Sequence, residues 1–131
     1  MNETLSISDA AERSGLTAHT IRYYESAGLL PRVGRASSGH RRFAEADVTW
    51  AIFITRLRAT GMPIRQIKEY VDLFKQGPST EGARLALLEE HRDRVRERLE
   101  EISQNLALIE TKIEAYKTKG LIAPALPNTR N

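Results

Sequence analysis

The 131-residue chain has no cysteine. Disulfides, thiolate metal sites and cysteine redox sensing are therefore excluded. Aromatic residues are scarce, at 6%, and strand-like apolar runs are missing, so a mainly α protein is expected. No stretch approaches the ~20 apolar residues of a membrane span, and the opening MNETLSISDA carries no apolar run. A soluble, cytoplasmic, nucleoid-associated protein without a membrane partner is expected. No glycine-rich phosphate loop is present, nor a nucleophile, histidine and acid that helices would bring together, so no enzyme activity is expected. The three histidines are scattered, and none has a partner at ligand spacing, so neither metal nor cofactor is expected.

Charge of one sign is unevenly spread. Residues 1–78 hold 11 Lys and Arg against 8 Asp and Glu, whereas residues 79–131 hold 9 against 9. The whole net charge of +3 therefore belongs to the first part. Between Thr20 and Phe43 stand Arg22, Arg32, Arg35, Arg41 and Arg42, with Glu25 as the one acid. Such a local excess is the electrostatic footprint of a polyanion partner, although a solvated basic surface would look the same from charge alone.

The order of breakers and apolar positions divides the chain. Ser8 reads as the N-cap of a first short helix ended by Gly15, with Asp9 in its first turn. Thr17 then caps a second helix, Ala18 to Ala27, stopped by Gly28. Two short helices around a glycine turn form a helix-turn-helix, whose second helix reads the major groove. Pro31 and the Gly-, Ser- and Arg-rich PRVGRASSGHRRF predict a two-stranded wing over 31–43. Two more helices occupy 44–77: Val48, Ala51 and Ile54 mark one, while Ile64, Ile67, Val71 and Phe74 mark the next after Pro63. Residues 1–78 are thus expected to form a winged helix-turn-helix domain, with the helix-turn-helix at 5–28.

From 79 to 119 no Gly or Pro interrupts a long helix once Gly82 is passed. Leu85, Arg92, Leu99, Leu106 and Ile113 fall at a positions of a heptad, and Leu88, Val95, Ile102, Ile109 and Tyr116 at d positions. This spacing predicts a coiled coil. At ~1.5 Å per residue the seam is ~48 Å long, too long for the preceding domain to cover, so a homodimer is the simplest closed solution. Arg92 is the one polar seam residue. It serves either as a register device or in a polar cluster with acids such as Glu89 or Glu90 across the dimer. Residues 120–131, GLIAPALPNTRN, form a C-terminal tail.

The run TIRYYESAGLL, the downstream GHRRF, and LRATGMPIRQIK before a long coil resemble the MerR family of bacterial transcription regulators. The resemblance covers residues 5 to about 116. It implies a winged-helix domain dimerised through an antiparallel coiled coil and bound to a pseudo-palindromic promoter operator. It also implies bending and undertwisting of that DNA for RNA polymerase, commonly under control of a small-molecule or stress signal. The layout is similar to the aldehyde- and electrophile-responsive subgroup, but Arg56 stands where that subgroup often has a reactive cysteine. The cysteines of metal-sensing members are absent as well.

Candidate DNA-binding residues follow. His19, Arg22, Tyr23 and Ser26 share one face of the second helix, and Ile21, Tyr24 and Gly28 another. Arg22 is the leading base or phosphate contact. Tyr24 is expected to pack its ring and, from the resemblance, to offer its hydroxyl to phosphate; Tyr23 is open between the two roles. Thr17 is first a cap, and its hydroxyl can also meet DNA. Arg35, His40, Arg41 and Arg42 are wing candidates, Arg41 above Arg42 because it matches the family's Gly-x-Arg; Arg58 is a further backbone candidate. Trp50, Phe53 and Phe74 are expected in the core, with an effector pocket as their second role. An effector-independent DNA-bending or anti-repressor protein, and a coiled-coil adaptor that binds protein, are the competing functions.

Overall fold

The computed structural model describes residues 5–31, 34–35 and 41–119, and the side chains of residues 34, 35 and 41 lie outside that description. The elements run α1 (Ile7–Ser14), α2 (Ala18–Ser26), β1 (Gly34–Arg35), β2 (Arg41–Arg42), α3 (Glu45–Ala59), α4 (Ile64–Lys75), a 3-10 turn (Pro78–Thr80) and α5 (Glu81–Lys119). The chain divides into two compact units, Met1–His91 and Arg92–Asn131. Each helix start has a local cause. Ser6, not Ser8, caps α1: its Oγ accepts from the Asp9 amide at 3.1 Å, and the Asp9 carboxylate accepts from the Ser6 amide at 3.3 Å. The reciprocal box is possible only where the acid stands three residues on, which is why Ser6 displaces Ser8. Thr17 caps α2, its Oγ1 accepting from the Thr20 amide at 3.0 Å.

Gly15 ends α1 at φ 77°, a left-handed conformation that side chains resist. Gly28 is also at φ 77°; a Cβ there would stand 3.0 Å from Lys68 Nζ, the end of a flexible side chain that can move aside.

β1 and β2 pair antiparallel, Gly34 opposite Arg42 and Arg35 opposite Arg41. This is the expected wing; its tip, residues 36–40, lies outside the described residues. Its base is tied to the start of the chain. The Leu5 amide donates to the Phe43 carbonyl at 2.7 Å, and the Phe43 amide to the Leu5 carbonyl at 2.8 Å. An ion pair between Arg13 and Glu45 joins α1 to α3.

The core of the first unit gathers Ile21 and Tyr24 of α2, Leu29, Phe43, Ile54 of α3, and Ile67 and Val71 of α4, all essentially inaccessible. Burying each such side chain contributes about 1.5–3 kcal/mol. Phe74 departs from the expected core position, whereas Trp50 and Phe53 pack against the core at its edge. Trp50 and Phe53 are half-buried and Phe74 is 40% exposed, because α3 and α4 turn Ile54, Leu57, Ile67 and Val71 inward instead.

The first turns of α5 belong to the first compact unit. Thr80 Oγ1 donates to the Leu73 carbonyl at 2.6 Å and accepts from Arg84 Nε at 3.0 Å. Leu88 packs against the core, and His91, the one buried residue of α5, holds Thr60 Oγ1 at 2.8 Å through Nε2. Among the described residues, no helix is long and apolar enough to cross a membrane. In Arg92–Lys119 the seam is bare: Leu99, Ile102, Leu106, Ile109, Ile113 and Tyr116 are all exposed.

Candidate nucleic-acid interface

The wheel of α2 is resolved by burial. Ile21 and Tyr24 face the core, and His19, Arg22, Tyr23 and Ser26 are exposed together. The helix is held at its foot by the Thr17 cap and underneath by Ile21, so its outward face is presented as a unit. Thr17 is exposed beside that face. Its Oγ1 also lies 3.0 Å from Thr20 Oγ1 as donor.

The Tyr24 hydroxyl lies 2.7 Å from Thr55 Oγ1 on α3. Thr55 Oγ1 donates to the Ala51 carbonyl at 2.9 Å. The two hydroxyls and the Ala51 carbonyl thus form a short chain between α2 and α3. The ring packs inward as expected, and the hydroxyl links α2 to α3.

Tyr23 is the phenol that faces outward, 40% exposed. Arg58 of α3 completes the surface. Its Cζ lies 5.6 Å from the Tyr23 ring centroid and 5.7 Å from that of Tyr24, within cation–π range, while the residue stays exposed. The two rings stand 6.0 Å apart at 52°. Tyr23 and Arg58 thus form one basic and aromatic corner, able to donate to phosphate and to stack or hydrogen-bond at a groove edge, and Arg22 is exposed on the same helix as Tyr23. Arg42, at the end of the wing, is exposed as well. The side chains of Arg35 and Arg41, and all of His40, lie outside the described residues.

A second cluster lies on α3 and α4. The Trp50 ring meets those of Phe74, Tyr70 and Phe53 at centroid distances of 4.9, 5.9 and 6.3 Å, and Phe53 meets Tyr70 at 5.8 Å. Arg84 lies 5.3 Å from the Phe74 centroid. Tyr70 was not singled out in the sequence. Its signal was the four-residue step to Phe74 on one helix, matching the three-residue step from Trp50 to Phe53 on another. No cluster of three or more metal-ligating side chains occurs among the described residues.

A capped helix-turn-helix with a bare basic face on its second helix, followed by a two-stranded ribbon, defines a winged helix-turn-helix DNA-binding protein. Residues 5–73 match the MerR HTH family regulatory protein, and residues 48–114 match the MerR DNA binding family. The chain belongs to the MerR family of DNA-binding transcription regulators. An uncharacterized HTH-type transcriptional regulator of Haemophilus influenzae is 34% identical over 133 residues, 96% of this chain and 98% of that one. Among solved structures, HiNmlR is described as a MerR family regulator lacking the sensor domain, bound to promoter DNA. It superposes with a TM-score of 0.80 at 35% identity, covering 90% of this chain and 96% of HiNmlR. A MerR family regulator from Bacillus thuringiensis gives 0.77 at 34% identity, covering 87% of this chain and 100% of its own.

Proposed function

We propose that this regulator binds a pseudo-palindromic promoter operator as a homodimer. The α2 face of His19, Arg22 and Tyr23 enters the major groove, and Thr17, Arg58 and the wing arginines Arg35, Arg41 and Arg42, with His40, hold the backbone. The observation that carries the reading is the exposed α2 face of His19, Arg22 and Tyr23, with Arg58 of α3 over the Tyr23 ring, on a helix whose opposite face is locked by Ile21 and Tyr24. The binding of promoter DNA by HiNmlR supports it.

The exposed seam from Leu99 to Tyr116 is the dimer surface in this reading, because an apolar stripe of that length is not stable in water. Leu85 extends it. Two heads spaced by a coil contact the two ends of an operator and deform its centre, so that specificity arises partly from DNA stiffness. RNA polymerase would read the realigned promoter. A small-molecule signal, where one acts, would meet the half-exposed rings of Trp50, Phe53 and Phe74.

The test is selection of bound genomic fragments followed by footprinting on the recovered promoter. A symmetric footprint inside a long promoter spacer is expected. Arg22→Ala should abolish the footprint at protein concentrations where the parent protects fully. If Arg22→Ala and Arg41→Ala both leave duplex binding untouched, the interface is elsewhere and the protein-binding adaptor takes its place.

A further inference from the structure

A threonine on a helix can spend its hydroxyl proton on the backbone of the preceding turn. Thr49, Thr55 and Thr111 do so, donating to the carbonyl four residues back at 3.2, 2.9 and 3.0 Å. On α2, Ser26 Oγ donates to the Tyr23 carbonyl at 3.2 Å, and the Tyr24 hydroxyl is bonded to Thr55. These hydroxyls are engaged inside the protein. Thr20 differs. Its amide donates to Thr17 Oγ1 at 3.0 Å, and Thr17 Oγ1 donates back to Thr20 Oγ1 at 3.0 Å. Thr20 Oγ1 is the acceptor in that contact, and among the described residues nothing accepts its own proton. We propose that the Thr20 hydroxyl donates this proton to a phosphate oxygen of the operator, with Thr17 as the positioning residue behind it. The proposal rests on the reading above that α2 enters the major groove, and it adds a contact to that reading.

The place of Thr20 on α2 selects phosphate over base. Steps of ~100° per residue set Thr20 beside the face of His19, Arg22, Tyr23 and Ser26, not within it. Its helical neighbours one turn on are Tyr23 and Tyr24. Arg58 lies over those two rings, its Cζ 5.6 and 5.7 Å from their centroids. Thr20 and Arg58 therefore serve one flank of the helix. The centre of a groove-bound helix face looks at base edges, whereas its flanks look at the strands that wall the groove. Thr20 is half-buried and Thr17 exposed, so their shared contact opens to solvent and not to the core.

Thr17 makes the donor stiff. A β-branched side chain has few χ1 rotamers to begin with. The proton that Thr20 receives from Thr17 narrows them further. A hydroxyl that already accepts a hydrogen bond is also the better donor, because chains of hydrogen bonds polarise one another. DNA then has little rotamer freedom left to freeze at this position. Thr17 caps α2 with its lone pair and directs its proton to Thr20, so it reaches the DNA backbone through Thr20.

The test uses the full chain on a duplex recovered by the footprinting selection. Thr20→Val keeps the side-chain shape and removes the hydroxyl, whereas Thr20→Ser keeps the hydroxyl. Thr20→Val should weaken binding about tenfold, the loss of one hydrogen bond to a charged group. Thr20→Ser should bind like the parent. The loss should be equal across operator variants and should leave the salt slope unchanged, because a neutral donor displaces no counterion. Single methylphosphonates scanned along the duplex give a readout that a purely structural role would not move. At one phosphate in each half-site the neutral group should cost the parent affinity and cost Thr20→Val nothing further. If no position shows that non-additivity, or if Thr20→Val binds like the parent, the proposal is wrong. A changed ranking of operator variants would put the hydroxyl on a base and overturn it equally. Arg22→Ala is the control for the reading beneath. If it too leaves binding untouched, the α2 interface itself fails; a weakened Arg22→Ala beside an unaffected Thr20→Val strikes this contact alone.

Discussion

The hydroxyl of Tyr24 is hydrogen-bonded to Oγ1 of Thr55, 2.7 Å away and 31 residues on in sequence, and so fastens α2 to α3. The phenol in the middle of α2 is here an internal bond. Tyr24→Phe should lower unfolding stability by about 0.5–1.5 kcal/mol, the net value of one such hydrogen bond. DNA affinity at fixed salt should stay unchanged. Urea denaturation and fluorescence anisotropy on one preparation check both, and an affinity loss without a stability loss would put the hydroxyl on a phosphate after all.

Arg58 should behave in the opposite way. Its exposed guanidinium over the Tyr23 ring predicts weaker binding for Arg58→Ala with little change in unfolding. If Arg58 neutralises a phosphate, the slope of log affinity against log salt should fall by about 1. Arg58→Lys should keep that slope but bind less well, because an ammonium lacks the planar face that rests on the ring.

The start of α5 offers a stability prediction away from DNA. Thr60 Oγ1 donates to the Arg56 carbonyl at 2.8 Å and lies 2.8 Å from His91 Nε2. His91→Ala removes that buried bond and its packing, and should cost about 1–3 kcal/mol. Hydrogen exchange should report faster amide opening in the first turns of α5 than in the variant's α2.

Trp50 is the sole tryptophan, and it sits among Phe53, Tyr70 and Phe74. Its emission is therefore a private reporter of that cluster. Phe74→Ala should shift the emission to longer wavelength by opening the ring to water. An aromatic or aliphatic effector that docks there should quench or blue-shift it, whereas one that docks elsewhere should leave it still.

Much of this was legible in the sequence because it is local. Gly15, Gly28, Gly61 and Gly77 all take positive φ at the ends that breakers predict. The α2 wheel assigns Ile21 inward and Arg22 outward from spacing alone. What escaped was tertiary. The spacing marks Tyr24 as partly buried, but it cannot name Thr55 as its partner. Apolar character draws Phe74 into a core that Ile54, Ile67 and Val71 already fill, while Trp50 and Phe53 reach only its edge. A heptad gives Leu88 to the coil, whereas its own domain uses it first.

The placement of Arg58 bears on temperature as well as affinity. A surface arginine normally samples many rotamers, and a ligand must freeze them at about 0.5–1.5 kcal/mol per side chain. Lying over Tyr23 and Tyr24, Arg58 has surrendered part of that freedom during folding. Its share of DNA association should carry a smaller entropic penalty than that of an untethered arginine, leaving the corner preorganised for a duplex it has not yet met.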